Sequence, residues 1–330
     1  SGRGVGVNFF PSWAFSKSSS NIFKRIFDSF FFMIWVFCIL FITRPKKIYV
    51  STDPPILVPF IVSIYSKITK AKYFYHLQDI HPEATNVVFK INSFFFKIIK
   101  IIDNYTLRNA TLIITLNEQM KSVILERSNT QKQILIIENP SVQFNLNISV
   151  NKTKGFSFTG NIGRLQRIPL LMSAIEKYSL EGGILKFAFA GGGVYADQIL
   201  KLSKKNSLIK YYGEVSSEKA AYISNKYEWA LAPIENQITY YAFPSKLSSY
   251  VYTGAKILAI CGEDTSVAKW INNNKVGLIV EPNIDMLVKF FFQIEKQKID
   301  INLANSKNKG LKESLSMERF VKNIKYKIFT

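Results

Sequence analysis

Residues 242–260, AFPSKLSSYVYTGAKILAI, place a hydroxyl and a cation where they could bind an anion. Pro244 and Ser245 read as a tight entry with Ser245 as the helix cap, Gly254 as the stop, and 257–260 as the buried strand that follows. The first amides of a helix lack intrahelical acceptors and lie at the positive end of its dipole, so Ser245 and Lys246 form a phosphate-facing corner. The same pattern also fits an ordinary capped connection that binds nothing.

Three more segments could meet a phosphate or a base. Gly160 in FTGNIGRLQR is followed by Asn161, Arg164 and Arg167; Gly191, Gly192 and Gly193 run together; and Gly213 in YYGEV precedes Glu214 and Val215. Glycine at a strand end lets backbone come close to a ligand. A further cluster, HLQDIHPE at 76–83, gathers Gln78, Asp79, His81 and Glu83 at the C-terminal end of a strand, which is the ligand side of an open α/β sheet. A turn broken by Pro82, with Asp79 satisfying backbone amides, is the competing reading. Neither GxGxxG nor GxxxxGK[ST] is present, which removes the usual support for dinucleotide or P-loop binding.

The elements that must position these groups alternate regularly. Strands are predicted at 47–51, 73–77, 112–116 and 134–137, separated by helices at 56–67, 91–107 and 118–126. The polar stretch 145–154 reads as a linker. Strands then recur at 155–159, 184–190, 208–212, 229–232, 257–260 and 277–280, with helices between them, including one capped by Ser217, and a lysine-rich helical end. This argues for an α/β protein of two doubly wound parallel-sheet domains with a ligand cleft between them.

The 330 residues suit two domains. The net charge of +20 is spread: the first 150 residues carry 17 Lys/Arg against 8 Asp/Glu, the rest 26 against 15. Dispersed charge argues against a nucleic-acid partner and suits anionic membranes and phosphorylated substrates. Two separated cysteines, Cys38 and Cys261, read as buried small hydrophobes in a reducing compartment, and no spacing supports a metal site. The 13 apolar residues 30–42 rise about 20 Å as a helix, too short for a bilayer core of about 30 Å. Flanking Lys/Arg and aromatics fit a helix lying in a membrane interface, and a fully buried helix fits nearly as well. The helix at 91–107 offers a second basic-aromatic surface.

The ordered set FTGNIGRLQR, FAFAGGG, YYGEVSSEKAAYI, WALAPI, FPSKLSSYVYTGAKILAI and VGLIVEP resembles the nucleotide-sugar-binding domain of family 4 glycosyltransferases, retaining enzymes of the two-domain GT-B fold. YFYHLQDIHPE and LIITLNEQMKSVI resemble the acceptor-side domain of bacterial members that build surface polysaccharide on lipid carriers. The resemblance implies an acceptor-side domain over 1–148, a donor domain over 149–312, and a helical segment over 313–330 returning to the first domain. It implies that a first strand and Gly-rich loop belong ahead of Ser1.

It also implies roles. Gly160 and Asn161 lie under the donor diphosphate with Arg164, and Arg167 stands in for a family lysine. Pro244, Ser245 and Lys246 flank diphosphate and sugar, and Gly213, Glu214 and Val215 meet the base. Gln78 and Asp79, with Lys246, form the catalytic set, and His81 and Glu83 face the acceptor. Tyr241 and Ser249 stand where many members carry glutamates, Ser249 replacing the one on the ribose. The expected chemistry is transfer of a sugar, such as an N-acetylated hexosamine, from a UDP-linked donor to a lipid-linked saccharide without metal or cofactor. The expected setting is the inner face of the cell membrane, held through the basic-aromatic helices. A non-catalytic nucleotide-sugar-binding or assembly protein of the same fold is the alternative.

Overall fold

The computed structural model describes residues 3–4, 7–15, 22–142, 144, 151–297 and 309–329. Most of the linker expected at 145–154 lies outside them. The chain divides into two compact units, Ser1–Ile137 and Glu138–Thr330.

In the first unit β1 (Arg3–Gly4) and β2 (Val7–Asn8) pair antiparallel. There follow α1 (Ile22–Thr43), β3 (Lys47–Ser51), α2 (Leu57–Thr69), β4 (Lys72–His76), α3 (Glu83–Val88), α4 (Ser93–Asn109), β5 (Leu112–Thr115), α5 (Glu118–Ser128) and β6 (Ile134–Ile136). The strands line up as β3-β4-β5-β6, all parallel. Ile48 pairs with Tyr73, and Val50 with Tyr75 and so with Ile113, so these side chains share one face. That face meets α4: Tyr73 donates its hydroxyl to the Thr106 carbonyl and Tyr75 to Asp103 Oδ1 at 3.1 Å. Asn92 and Asn117 cap α4 and α5, accepting from the Phe94 and Met120 amides at 2.9 and 2.8 Å.

Helix α1 is neither fully buried nor free. Leu40 is buried and the Phe41 ring meets Tyr65 of α2 edge-on at 5.2 Å, while Phe27, Phe30, Ile34 and Ile42 are exposed. No described helix is long and apolar enough to cross a membrane. Cys38 lies on the exposed side of α1, so the expectation that both cysteines are buried holds only for Cys261.

The second unit runs β7 (Thr153–Thr159), α6 (Ile168–Leu180), β8 (Lys186–Ala190), α7 (Ala196–Lys205), β9 (Ile209–Tyr211), α8 (Ser217–Lys226), β10 (Tyr227–Pro233), α9 (Lys246–Thr253), β11 (Lys256–Ile260), α10 (Ser266–Asn274), β12 (Gly277–Val280), α11 (Ile284–Glu295), α12 (Lys309–Ser314) and α13 (Met317–Phe329). The cap of α8 is Ser216, whose hydroxyl accepts from the Lys219 amide at 3.3 Å, rather than the expected Ser217. Both C-terminal helices belong to this unit; Leu315 and Ile328 are buried, and the Ser141 amide donates to the Leu315 carbonyl at 2.8 Å.

The strand order β12-β11-β10-β7-β8-β9 is all parallel and reverses between β7 and β10. A doubly wound sheet binds ligands at the carboxyl ends of the two strands where its order reverses. Phe156, Phe158, Phe187, Phe189, Trp229, Phe290 and Phe291 fill the core, with Phe156 stacked on Phe187 at 5.1 Å. Each such ring contributes about 1.5–3 kcal/mol by leaving water.

Next to the reversal, the loops leaving β7 and β8 touch backbone to backbone. Gly191 has φ +136°, and a Cβ placed there would lie 1.9 Å from the Gly160 carbonyl oxygen. Gly182 also has a positive φ, +88°, but meets nothing within 4 Å. We expect Gly191→Ala to cost roughly 3 kcal/mol or more in urea unfolding, and Gly182→Ala only about 1–2 kcal/mol.

Candidate active site

The loops leaving β7, β8 and β9 are laced by their backbones. The Gly160 amide donates to the Ala190 carbonyl at 3.0 Å, Ile162 to Gly192 at 2.7 Å, and Gly191 to Gly213 at 2.8 Å. Gly160 and Gly213 both take positive φ, +123° and +70°, so the glycines turn each chain sharply at its strand end. Glu214 is exposed with its carboxylate against Gly192, and Val215 packs on the cluster of Ala188, Ala190, Ile223 and Tyr227.

Lys246 opens α9 and extends toward the end of β7. Its Nζ lies 4.3 Å from the centre of the Phe158 ring and 3.9 Å from where a Cβ on Gly160 would sit. The side-chain stem is half-buried, but the ammonium is fully buried and has no hydrogen-bond partner. Burial alone pushes its pKa down to about 8, since an ammonium out of water is disfavoured against the amine. A ring face offers a cation about 2 kcal/mol when desolvated, less than lost hydration. Among the described residues no carboxylate forms an ion pair with this ammonium.

Helix α9 is held firmly. The buried Tyr250 hydroxyl accepts from the Thr159 amide at 3.2 Å and lies 3.2 Å from the Thr159 carbonyl as donor. Ser248 donates to the Asn139 carbonyl at 2.8 Å and Tyr252 to Phe144 at 3.2 Å. Ser245 does not cap the helix as expected. It occupies the cap position with helical angles, φ −58° and ψ −23°, and its exposed hydroxyl makes no capping bond. A capping side chain needs extended backbone to turn back on the amides. Pro244 and Ser249 are half-buried beside it.

Arg167 spans the reversal. From the β7 loop its Nε donates to the Ile234 carbonyl at 2.8 Å, and its Nη2 reaches Asn236 Oδ1 at 3.2 Å and Glu235 Oε2 at 2.9 Å. It thus braces the loop after β10. Asn161 and Arg164 are exposed on the same β7 loop.

In the first unit Gln78, Asp79 and His81 lie on the loop after β4, and Glu83 opens α3. Gln78 donates its amide to Thr52 Oγ1 at 3.4 Å, and His81 Nδ1 lies 2.9 Å from Thr85 Oγ1. Burial lowers the pKa of His81, keeping the ring neutral. Burial raises the pKa of Asp79, and Asp53 from the loop after β3 adds like-charge repulsion. Glu83 differs from its neighbours. It is buried, with Arg127 Nη1 at 2.7 Å and Lys100 at 3.5 Å, and the Arg127 guanidinium also meets Asp103 and the His81 carbonyl. Its carboxylate is engaged in holding the loop rather than presented to an acceptor.

No protein-family model matches the chain. A probable glycosyltransferase, WbjE of Pseudomonas aeruginosa, is 22% identical over 292 residues, 83% of this chain and 71% of that protein. Among solved structures, Anabaena Alr3699/HepE in complex with UDP superposes with a TM-score of 0.65 at 13% identity, covering 89% of this chain and 81% of that one. The lipopolysaccharide outer core galactosyltransferase WaaB, in its apo form, gives 0.62 at 14% identity over 94% and 82%. The chain has the GT-B glycosyltransferase fold.

Within this GT-B chain, the donor-side candidates converge. Gly160 and Lys246 meet at the end of β7, Asn161, Arg164 and Arg167 lie on the adjoining loop, and Gly213 joins them through Gly191. The residues that sequence reading missed are braces: Tyr250 on Thr159, and Arg127 with Asp103 under the acceptor-side loop. Arg127 carried a weak signal, a lone arginine in the last turn of a helix.

Asp79 supplies a test. Its raised pKa means that the folded state disfavours its carboxylate, so stability falls as pH rises from the ordinary carboxylate range through the raised value. Asp79→Asn should raise Tm at neutral pH by a few degrees, and the gain should vanish near pH 3, where Asp79 is protonated folded or unfolded. Melting curves at the two pH values check this, and an unchanged or lower Tm at neutral pH would refute it.

Proposed function

We propose that this chain is a retaining, family 4-type glycosyltransferase that moves a sugar, an N-acetylated hexosamine, from a UDP-linked donor to a lipid-linked saccharide in cell-surface polysaccharide synthesis. The observation that carries the reading is the Lys246 ammonium, buried and unpartnered beside Gly160 at the reversal of a parallel sheet. A donor diphosphate supplies the anion for it. The relatives agree in kind: one is named a probable glycosyltransferase, one was solved with UDP, and one is an outer core galactosyltransferase.

In this reading the bond from the sugar's anomeric carbon to the β-phosphate oxygen breaks, and its electron pair stays on that oxygen. The acceptor hydroxyl forms the new bond and gives up its proton to the departing phosphate. Lys246 and the start of α9 stabilise the growing charge, with Asn161, Arg164 and Arg167 on the facing loop. No metal or cofactor is required for that stabilisation. Glu214 and Val215 border the base, and Gln78, Asp79 and His81 orient the acceptor. The basic-aromatic helices α1 and α4 hold the enzyme at the inner face of the membrane. A non-catalytic relative is the second reading, motivated by Tyr241 and Ser249 where carboxylates are expected. It requires nucleotide binding without transfer, unchanged by Ser249→Glu.

The lysine makes the donor reading measurable. The free protein loses the Lys246 proton as pH rises through about 8. A bound diphosphate holds that proton on, so UDP affinity should be flat below pH 7 and fall about tenfold per pH unit above 8. In Lys246→Met the UDP-induced rise in Tm should be lost. The free variant should melt no lower than the natural protein, because the depressed lysine pKa marks a charge that opposes folding below pH 8. A full UDP response in Lys246→Met would sink the donor-site assignment.

A further inference from the structure

The unit that carries Gln78 and Asp79 has a second concave feature, at the opposite edge of its sheet. Strands β3 and β4 start together at Lys47 and Lys72, five residues, or about 16 Å, from the ends that feed the acceptor-side loops. There a cavity of about 750 Å³ opens between the ends of α1 and α2 and the starts of the two strands. Five cations line it: Arg44, Lys46, Lys47, Lys70 and Lys72. Its apolar wall is the Phe41–Tyr65 ring pair. No carboxylate lines it, and among the described residues Arg44, Lys46, Lys70 and Lys72 take part in no ion pair.

Part of this charge serves the helices. Arg44 and Lys70 follow α1 and α2 in left-handed conformation, φ 48° and 60°, where cations complement helix C-termini. Two helix ends amount to only about one elementary charge in total, so they offset only part of the charge of Arg44, Lys46, Lys70 and Lys72. Lys46, Lys47 and Lys72 lead into strands and serve no helix end.

Exposed apolar side chains stand at and next to the lining, Ile42 and Ile68 adjoining the lining residues Phe41 and Thr69 in sequence. Ile42 is 72% exposed, Ile68 62% and Phe41 37%. A nucleic acid would neutralise the cations and leave these side chains in water. The surface of an anionic bilayer meets both, phosphates with the cations and the acyl boundary with the aliphatics. We infer that this cavity docks the chain on an anionic phospholipid membrane, one lipid phosphodiester seated among Arg44, Lys46, Lys70 and Lys72, with Phe41, Ile42 and Ile68 dipping into the interface. The inference rests on the membrane placement proposed above and names its site; it is independent of the donor chemistry.

The test is co-sedimentation of the full chain with vesicles of phosphatidylcholine alone or mixed with phosphatidylglycerol, at fixed ionic strength. Binding to the mixed vesicles should exceed binding to the neutral ones at least tenfold. Arg44→Gln/Lys46→Gln/Lys70→Gln/Lys72→Gln should lose at least tenfold. Lys201→Gln/Lys204→Gln/Lys205→Gln/Lys226→Gln, which removes the same charge from the second unit, should lose less than threefold. Equal losses in the two variants would reduce the effect to net charge and overturn the site, as would equal binding to neutral vesicles. Displacement by inorganic phosphate at matched ionic strength would make the cavity a small-anion site and overturn membrane docking. A UDP thermal shift on each variant reports folding and the donor site, so loss of vesicle binding in the first variant with the shift intact supports the inference, while full vesicle binding by that variant rejects it and leaves the donor reading untouched.

Discussion

Gly160 and Gly191 meet backbone to backbone, and the arrangement of the candidate site around the end of β7 follows from that contact. With no room for a Cβ between them, the ends of β7 and β8 close to hydrogen-bonding distance. The bend this imposes on Gly160 uncovers the end of β7 to the side chain that opens α9. Tyr250, one turn into α9, fastens the helix to Thr159 by the two backbone groups just before the bend. The start of α9 is thus fixed against the end of β7, and the Lys246 Nζ lies 4.3 Å from the centre of the Phe158 ring.

That rigidity separates two kinds of buried charge. Arg127, Glu83 and Asp103 are buried together and paired through the two Nη groups of the guanidinium, and removing one partner would leave an uncompensated charge worth several kcal/mol. Such a network holds a loop. Lys246 is different: its ammonium is buried with no hydrogen-bond partner, and burial moves its pKa toward the neutral form. Asp79 is half-buried, and burial together with Asp53 raises its pKa.

Much of the frame was legible because alternation of apolar runs with glycine and proline is local information. Strands β3 and β12 fall where the pattern puts them, and Gly160, Gly191 and Gly213 mark real bends after β7, β8 and β9. What escaped was non-local or depended on angles. Arg127 meets Asp103 across 24 residues and Glu83 across 44, distances over which no periodicity speaks. Ser245 has the residue type of a cap but not the backbone, because Pro244 and the turn before it deliver it already in helical conformation. Cys38 sits in a run of apolar neighbours that reads as buried, yet the run wraps around a helix only one edge of which is covered.

The distribution of charge shows the same difference between chain and space. Along the sequence the cations are scattered, and scatter argues against a nucleic-acid stripe without showing where a basic surface forms. A βαβ unit nonetheless returns the start of its second strand to the side of the first, so Lys46 and Lys47 come to lie against Lys70 and Lys72 although a helix separates them in sequence. Their concentration is a product of topology. Charge alone then no longer discriminates between partners, since phosphate belongs to lipids and nucleic acids alike. The discriminating feature is what lies between the cations. Ile42 and Ile68, exposed at the ends of two helices that each had a buried face available, give the basic edge an apolar component that only an interface with an oily side can use.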